Sequence, residues 1–408
     1  HALPVHSSCA SSILASDGRP RASYRGFLNL SLLVLFATNL RLILENARNY
    51  GWQWIPLASL VPVADVPSAT LALAVPLACY LVTFLIEITC GMHATGSLLH
   101  FVMVTAPMSF STVIVYNYID HPFVGTGVML ATITIFAKQM SFILVCSDSR
   151  QHQPHSAPIN RHPHLLVHDY QQCLRLSHYL YFLFAPTLSF QASYPRNSKV
   201  DFLRLAKSLA ELSISSMMML FLTAQYALPS LRLAFSAIEK GDIVATIECV
   251  LLFSTASVLL WLLMFFSMFH AWCNVLGELL QFGDRQFYLA WWNSGTLARY
   301  WRLWNIPVHN WLKRHVYLPL LLFTPFWAIT TTFFVSAMFH ELLLGASMKC
   351  FNGLSFLVIM AQVPLIILTD NILPAWIGKD SDVGNVFFWL LFCIVGQPIL
   401  LTQYYVIW

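Results

Sequence analysis

At 408 residues the chain is long enough for two or three soluble domains, yet 58% of it is hydrophobic and only 10% charged, which excludes a soluble globular protein and a disordered one alike. The formal net charge of +4 comes from 22 basic against 18 acidic residues without a basic block, so no nucleic-acid-binding surface is expected. Nine cysteines lie scattered, with Cys79, Cys249 and Cys393 inside apolar runs and no paired spacing to frame a disulfide or a zinc site.

What remains is an all-α integral membrane protein. A spanning helix needs about 20 predominantly apolar residues. Nine such stretches follow one another, at roughly 27–47, 69–88, 97–118, 123–147, 210–231, 245–270, 318–345, 354–374 and 386–408. Residues 1–26 read as a cytoplasmic N-terminal segment without the charged-then-apolar pattern of a signal peptide, which leaves the first span to direct insertion. Residues 27–408 read as a single polytopic domain with two polar interruptions, 148–209 and 283–316. Lys and Arg collect on cytoplasmic loops. With the N-terminus inside, 16 of the 22 basic residues fall on that side and four opposite, which puts both long polar segments in the cytoplasm.

In the first span, Arg41 and Glu45 stand four residues apart, a spacing that suits an ion pair. The first polar segment carries His152, His155, His162, His164 and His168 among prolines, and their irregular spacing suits a solvated connector better than a metal site. In the second, Trp291, Trp292, Trp301, Trp304 and Trp311 alternate with Arg299, Arg302, Lys313 and Arg314. Such rings and cations favour the headgroup layer, so an interfacial amphipathic segment is expected there. Further on, SAMFHE puts Ser336 and His340 on one helix face, while Glu341 is turned about 100° away and is expected to orient or charge the site from the side. Gln362 in MAQVP and Gln397 in GQP stand beside prolines that free backbone carbonyls, which suits a cavity wall or an interhelical contact.

Polar groups in hydrocarbon are costly, so each marks a candidate site. Histidine is the side chain best suited to proton transfer near neutral pH. Around His340 there is no HxxxH or HExxH pattern, no metal is expected, and the chain has neither a GxSxG elbow nor a Walker A loop. The residues alone thus support histidine-assisted group transfer inside the membrane, against a buried histidine satisfied by a neighbouring carbonyl. A non-enzymatic lipid transporter is the alternative class, and the inverted repeats it would need are not visible.

Nine motifs then occur in order with the intervening apolar lengths preserved: LxLENxxxYG at Leu42–Gly51, YFLFAPTL at Tyr181–Leu188, YPR at Tyr194–Arg196, LQFGDR at Leu280–Arg285, WWNS at Trp291–Ser294, WNIPVHNW at Trp304–Trp311, SAMFHE at Ser336–Glu341, MAQVP at Met360–Pro364 and GQP at Gly396–Pro398. In them the chain resembles the membrane-bound O-acyltransferases (MBOAT), and within these the diacylglycerol enzymes more than the sterol ones. The resemblance implies an MBOAT-like nine-span fold in the endoplasmic reticulum membrane. It implies transfer of a fatty acyl group from acyl-CoA, as co-substrate and without a further cofactor, to the hydroxyl of diacylglycerol, giving triacylglycerol. A homodimer or homotetramer is implied as well. His340 falls on the family's catalytic histidine and Asn305 on its second signature residue, with Glu341 beside them as a further catalytic candidate. Trp304, His309, Tyr317, Ser336, Gln362 and Gln397 fall on the acyl-CoA tunnel and reaction chamber.

In two places the sequence departs from the family pattern. FYxDWWN reads FYLAWWN, with Ala290 in place of Asp, and Leu318–Ile329 at the start of the histidine helix has no basic residue. The CoA phosphates are therefore expected at Lys313 and Arg314. A sterol or long-chain alcohol acceptor would use the same base and thioester chemistry.

Overall fold

The computed structural model describes residues 25–56, 59–90, 94–151, 174–191, 193–372, 382–390, 392–393 and 402. Among them the chain is helical; its one β contact is an isolated bridge between Arg196 and Phe282. Two compact units are distinguished, His1–Gln53 and Trp54–Trp408. The first contains α1 (Arg25–Tyr50). On it Arg41 and Glu45 are exposed and form no ion pair among the described residues; such a pair contributes only about 0.3–0.5 kcal/mol on a helix surface, too little to hold two long side chains together.

The second unit opens with α2 (Val66–Cys90), α3 (Ala94–Tyr118), α4 (Pro122–Gln151) and the short α5 (Leu176–Phe184). It continues with α6 (Phe202–Leu222), α7 (Leu228–Glu239), α8 (Ile243–Phe265) and α9 (Cys273–Leu279). Next come the short helices α10 (Leu297–Leu303), α11 (Ile306–Leu312) and α12 (Leu318–Leu320), followed by α13 (Pro325–Ser347), α14 (Leu354–Met360), α15 (Gln362–Ile367) and α16 (Asp382–Leu390). Two π-helical turns, Thr223–Ala227 and Lys313–Tyr317, immediately precede helices that carry a proline in their first turn, Pro229 and Pro319. A proline ring collides with the carbonyl four residues back and offers it no N–H, and an extra residue in the turn moves that carbonyl aside.

Six stretches among the described residues are long and apolar enough to cross a membrane: Val63–Thr89, Gly96–Tyr118, Pro122–Arg150, Phe202–Glu239, Ile243–Leu279 and Pro325–Ser347. The expectation of nine is not matched among these residues. The stretch expected at 318–345 begins only at Pro325, because Leu318–Leu320 is a separate turn. That expected at 354–374 is the shorter apolar helix Leu354–Asp370, and most of 386–408 lies outside the described residues, as do the five histidines of 152–168.

Inside the bundle the polar groups close on one another. Lys138 of α4 is 3% exposed, donates from Nζ to the carbonyls of Phe182 and Ala185 at 2.6 and 2.7 Å, and lies 5.0 Å over the Phe182 ring. It thereby fastens the end of α5 to α4. Tyr80 and Tyr179 stack at 4.1 Å, and each hydroxyl donates to the other's carbonyl. The Glu87 carboxylate is shared by His100 and Arg150, joining α2, α3 and α4 near one end. The Asp65 side chain accepts the N–H groups of Asp120 and His121, fixing the α3–α4 turn to the start of α2.

Candidate active site

The face of α13 that meets the bundle is read off its spacing. Ile329, Thr332, Phe333, Ser336 and His340 recur at intervals of three and four, form one stripe, and line a cavity of about 370 Å³. α13 is held there from α4, by Phe136 against Phe339 at 5.5 Å and by the close approach of Gly125 to the backbone of Ser347. His340 is part-buried, and its Nδ1 lies 2.8 Å from the Ser336 carbonyl oxygen. A carbonyl can only accept, so Nδ1 carries the proton and Nε2 is the basic nitrogen. The partner on Ser336 is its backbone oxygen, which leaves the hydroxyl of this cavity-lining residue out of the contact.

The opposite wall comes from α10, α11 and the π-helical turn that follows. Asn305 is 7% exposed and caps α11: its Oδ1 accepts the Val308 N–H at 3.2 Å, with Pro307 in the first turn. Because capping requires the oxygen, the amide orientation is fixed and Nδ2 keeps its two protons for the cavity. Trp304, His309, Lys313 and Tyr317 complete that wall, together with Trp301, Arg302, Val308 and Leu312. The indoles are held by an aromatic cluster: Trp304 stacks on Tyr300 at 5.9 Å and meets Phe269 edge-on at 5.3 Å, while Trp301 meets Phe333 at 5.7 Å. Of the five tryptophans in 283–316, Trp291 and Trp311 are buried and only Trp292 is exposed. Trp311 donates from Nε1 to the Ala137 carbonyl at 2.8 Å and so anchors α11 on α4.

Lys313 also lines a second cavity of about 260 Å³ with Arg314, Asp284, Asn310 and Tyr194. Arg314 donates from Nη1 to the Phe190 carbonyl at 3.0 Å. Next to Arg314, His315 shares a 2.8 Å hydrogen bond with Ser141, whose oxygen accepts the Phe190 N–H. Burial, then the Arg314 charge, pushes the His315 imidazole down to about 4. Burial likewise lowers His309, with smaller contributions from Lys313 and Arg302.

The structure therefore brings His340, Asn305, Trp304, His309, Lys313, Tyr317 and Ser336 to one cavity. It does not bring Glu341, whose carboxylate accepts the N–H groups of Gly353 and Phe356 at 2.9 and 3.1 Å and caps α14. Gln362, at the start of α15, turns to the Val358 carbonyl of α14, and Ile366, one turn on, is the residue of α15 that reaches the cavity. Gln397 lies outside the described residues. Thr332, Phe333 and Arg302 were missed in the sequence. The first two lie eight and seven residues before His340, where the rule that selected Ser336 would have found them.

At Ala290 no side chain caps the short turn Trp291–Asn293. The WWNS loop is instead held by Asn385 of α16, whose Nδ2 donates to the carbonyls of Trp292 and Ser294 at 3.0 and 2.8 Å. Gly384 beside it permits that approach, since a Cβ there would meet Gly295 O at 2.5 Å.

Known proteins match this chain along its length. It is 36% identical over 414 residues to diacylglycerol O-acyltransferase 1C of Glycine max, covering 99% of this chain and 79% of that protein. Diacylglycerol O-acyltransferase 1 of Corylus americana and of Arabidopsis thaliana are each 36% identical over 413 residues, covering 99% of this chain and 76% and 77% of theirs. Residues 90–406 match MBOAT, the membrane-bound O-acyltransferase family. With its apolar helices enclosing a histidine-bearing cavity, the chain belongs to that family of multi-pass membrane enzymes.

Proposed function

We propose that the chain transfers a fatty acyl group from acyl-CoA to diacylglycerol, with His340 as general base. The observation that carries the reading is the Nδ1–H bond to Ser336 O, which leaves Nε2 basic in a cavity also lined by the Asn305 amide. The acceptor oxygen attacks the thioester carbonyl carbon as Nε2 takes its proton. The oxyanion that forms is met by Asn305 Nδ2–H, a donor whose position the cap already fixes. Collapse breaks the C–S bond, and the thiolate recovers the proton from His340 as free CoA. A positioned base of this kind contributes about 10²–10⁴ in rate. Acyl-CoA itself is the only co-substrate this scheme requires.

The diacylglycerol acceptor is supported by the names of the relatives; the endoplasmic reticulum membrane as location is part of the same reading. Acyl-CoA, soluble and anionic, enters from the basic cytoplasmic face near Lys313 and Arg314; diacylglycerol enters sideways from the bilayer. Glu341 acts as a positioning residue through the cap of α14, and Gln362 through its bond to the Val358 carbonyl; the resemblance alone assigns Gln397 to the chamber. A homodimer or homotetramer is part of the reading. Purified protein is offered labelled oleoyl-CoA with diacylglycerol, cholesterol and a long-chain alcohol in competition. Triacylglycerol as the main labelled product supports the proposal, whereas label confined to cholesterol or alcohol ester overturns the acceptor. Lipid movement without CoA release would overturn the enzyme.

A further inference from the structure

Two cations at the larger cavity take no part in the bond-making steps: Lys313, already on the acyl-CoA route, and Arg302, which that route does not use. Arg302 and Lys313 both line it, and neither meets a carboxylate among the described residues. Arg302 donates from Nε to the Ala298 carbonyl at 3.1 Å, which steadies the root of the guanidinium and leaves its terminal nitrogens for a ligand. His309 stands within the field of both, and burial together with that field keeps its ring uncharged at neutral pH. The neighbouring Arg314 differs: it donates to the Phe190 carbonyl and faces the second cavity, where the Asp284 carboxylate opposes a polyanion. Two exposed cations at the rim of a cavity walled by Trp301, Trp304, Phe333 and Ile366 suit a ligand that joins an apolar chain to a compact anion.

We propose that Arg302, paired with Lys313, holds the pyrophosphate of acyl-CoA at the mouth of the His340 cavity and thereby sets the preference for CoA thioesters over thioesters without phosphate. This rests on the acyl-CoA reading and names the residue that enforces it. Residue 302 precedes the Asn305 cap by three positions, so a phosphate gripped there fixes the donor relative to the amide and the imidazole.

Binding tests this without turnover. S-hexadecyl-CoA, an unreactive thioether, and S-hexadecyl-pantetheine, which lacks the phosphates, are titrated calorimetrically into the purified full chain. Arg302→Gln should weaken the CoA ligand about tenfold, in the range of one charge-assisted contact, and Arg302→Lys about threefold. Pantetheine-ligand binding should stay within about twofold, because neutral heads do not feel the guanidinium. Added salt should weaken the CoA ligand more in wild type than in Arg302→Gln. Equal weakening of both ligands, no change for the CoA ligand, or a loss confined to Arg314→Gln would overturn the proposal. Wild-type protein that binds S-hexadecyl-CoA through Arg302 but forms no triacylglycerol would overturn the acyl-transfer reading and leave the pair standing.

Discussion

Two of the polar clusters among the apolar helices differ in what their bonding leaves over. In the α2–α5 block, Lys138 gives its protons to two carbonyls, Glu87 is shared between His100 and Arg150, and Tyr80 and Tyr179 satisfy each other. At the α13 cavity each group is half used: His340 is bonded at Nδ1, Asn305 at Oδ1 and Arg302 at Nε, and the remaining atoms line the cavity. Burial in a membrane marks both places as expensive. His100 Nδ1 is left unbonded in the first block, but it is buried and lines neither cavity described above; only the second place opens its unused atoms onto a cavity, and that opening separates a site from a tie.

The strongest way to break the comparison is to exchange the outcomes. His340→Ala should lower triacylglycerol synthesis by about 10³-fold or more and leave the unfolding temperature nearly unchanged, since one half-used ring is lost. Lys138→Ala should do the reverse. It strands two buried carbonyls and opens a void, about 2–4 kcal/mol of destabilisation, with residual protein still turning over. Paired activity and thermal-unfolding measurements in detergent check both. A His340 variant that unfolds while a Lys138 variant stays stable and inactive would reverse the assignment.

Asn305 lets the two halves of one side chain be separated. Ser is a good N-cap, so Asn305→Ser keeps an acceptor for Val308 N–H and removes the amide donor. The expected loss is about 10²-fold in kcat, the scale of one oxyanion donor, with thermal stability within about 1 kcal/mol of wild type. Stability falling in proportion to activity would mean that the cap is the whole of its role.

His315 stands between the two classes, bonded to Ser141 yet next to Arg314 of the second cavity. Its folded value of about 4 lies below the ordinary 6.5, so the unfolded chain binds the proton more readily in between. Stability from this residue is therefore full above pH 6.5 and declines as pH falls toward 4, by at most about 3 kcal/mol. In His315→Gln, which keeps a partner for Ser141 and does not titrate, the acid-side fall of the unfolding temperature should be shallower than in wild type. Parallel slopes would show that carboxylates elsewhere set the acid limit.

Much of this was legible in the residues. The apolar runs gave an all-helical membrane protein, and the i to i+4 rule put His340 and Ser336 on one face. Glu341 shows where such reading stops: a residue turned 100° from the site faces something, but only the return of α14 reveals that it is a helix start. Lys138 shows the converse, since an intramembrane lysine reads as functional until α5, more than 40 residues on, closes its bonds. The amphipathic pattern of the tryptophans did not tell which of them turn inward. Trp311 and Trp291 fold inward because distant partners, Ala137 on α4 and Trp261 on α8, receive them. Arg302 belongs with these, for a cation in a surface-like segment looks solvated until the cavity beneath it is seen.

The smallest expected effect concerns the loop that departs from the family pattern. Ala290 is exposed and occupies the cap position of the turn Trp291–Asn293, where the Asn293 N–H reaches the Ala290 carbonyl at 3.3 Å and no side chain helps. An aspartate there places a carboxylate beside the first N–H groups of the turn, a capping gain of about 0.5–1 kcal/mol. Asn385 already holds the carbonyls on the far side of the loop, so the two contacts act on different backbone groups and should add. Ala290→Asp is thus expected to raise the unfolding temperature by a few degrees at most, and to do so equally in the Asn385→Ala background, where the loop has lost its other tether. Because the loop packs Trp291 against Trp261 rather than facing the cavity, kcat and the KM for acyl-CoA should stay near wild type. A large fall in the KM for acyl-CoA without a change in stability would mean that residue 290 meets the donor itself, and the loop would then belong with the half-used groups of the cavity.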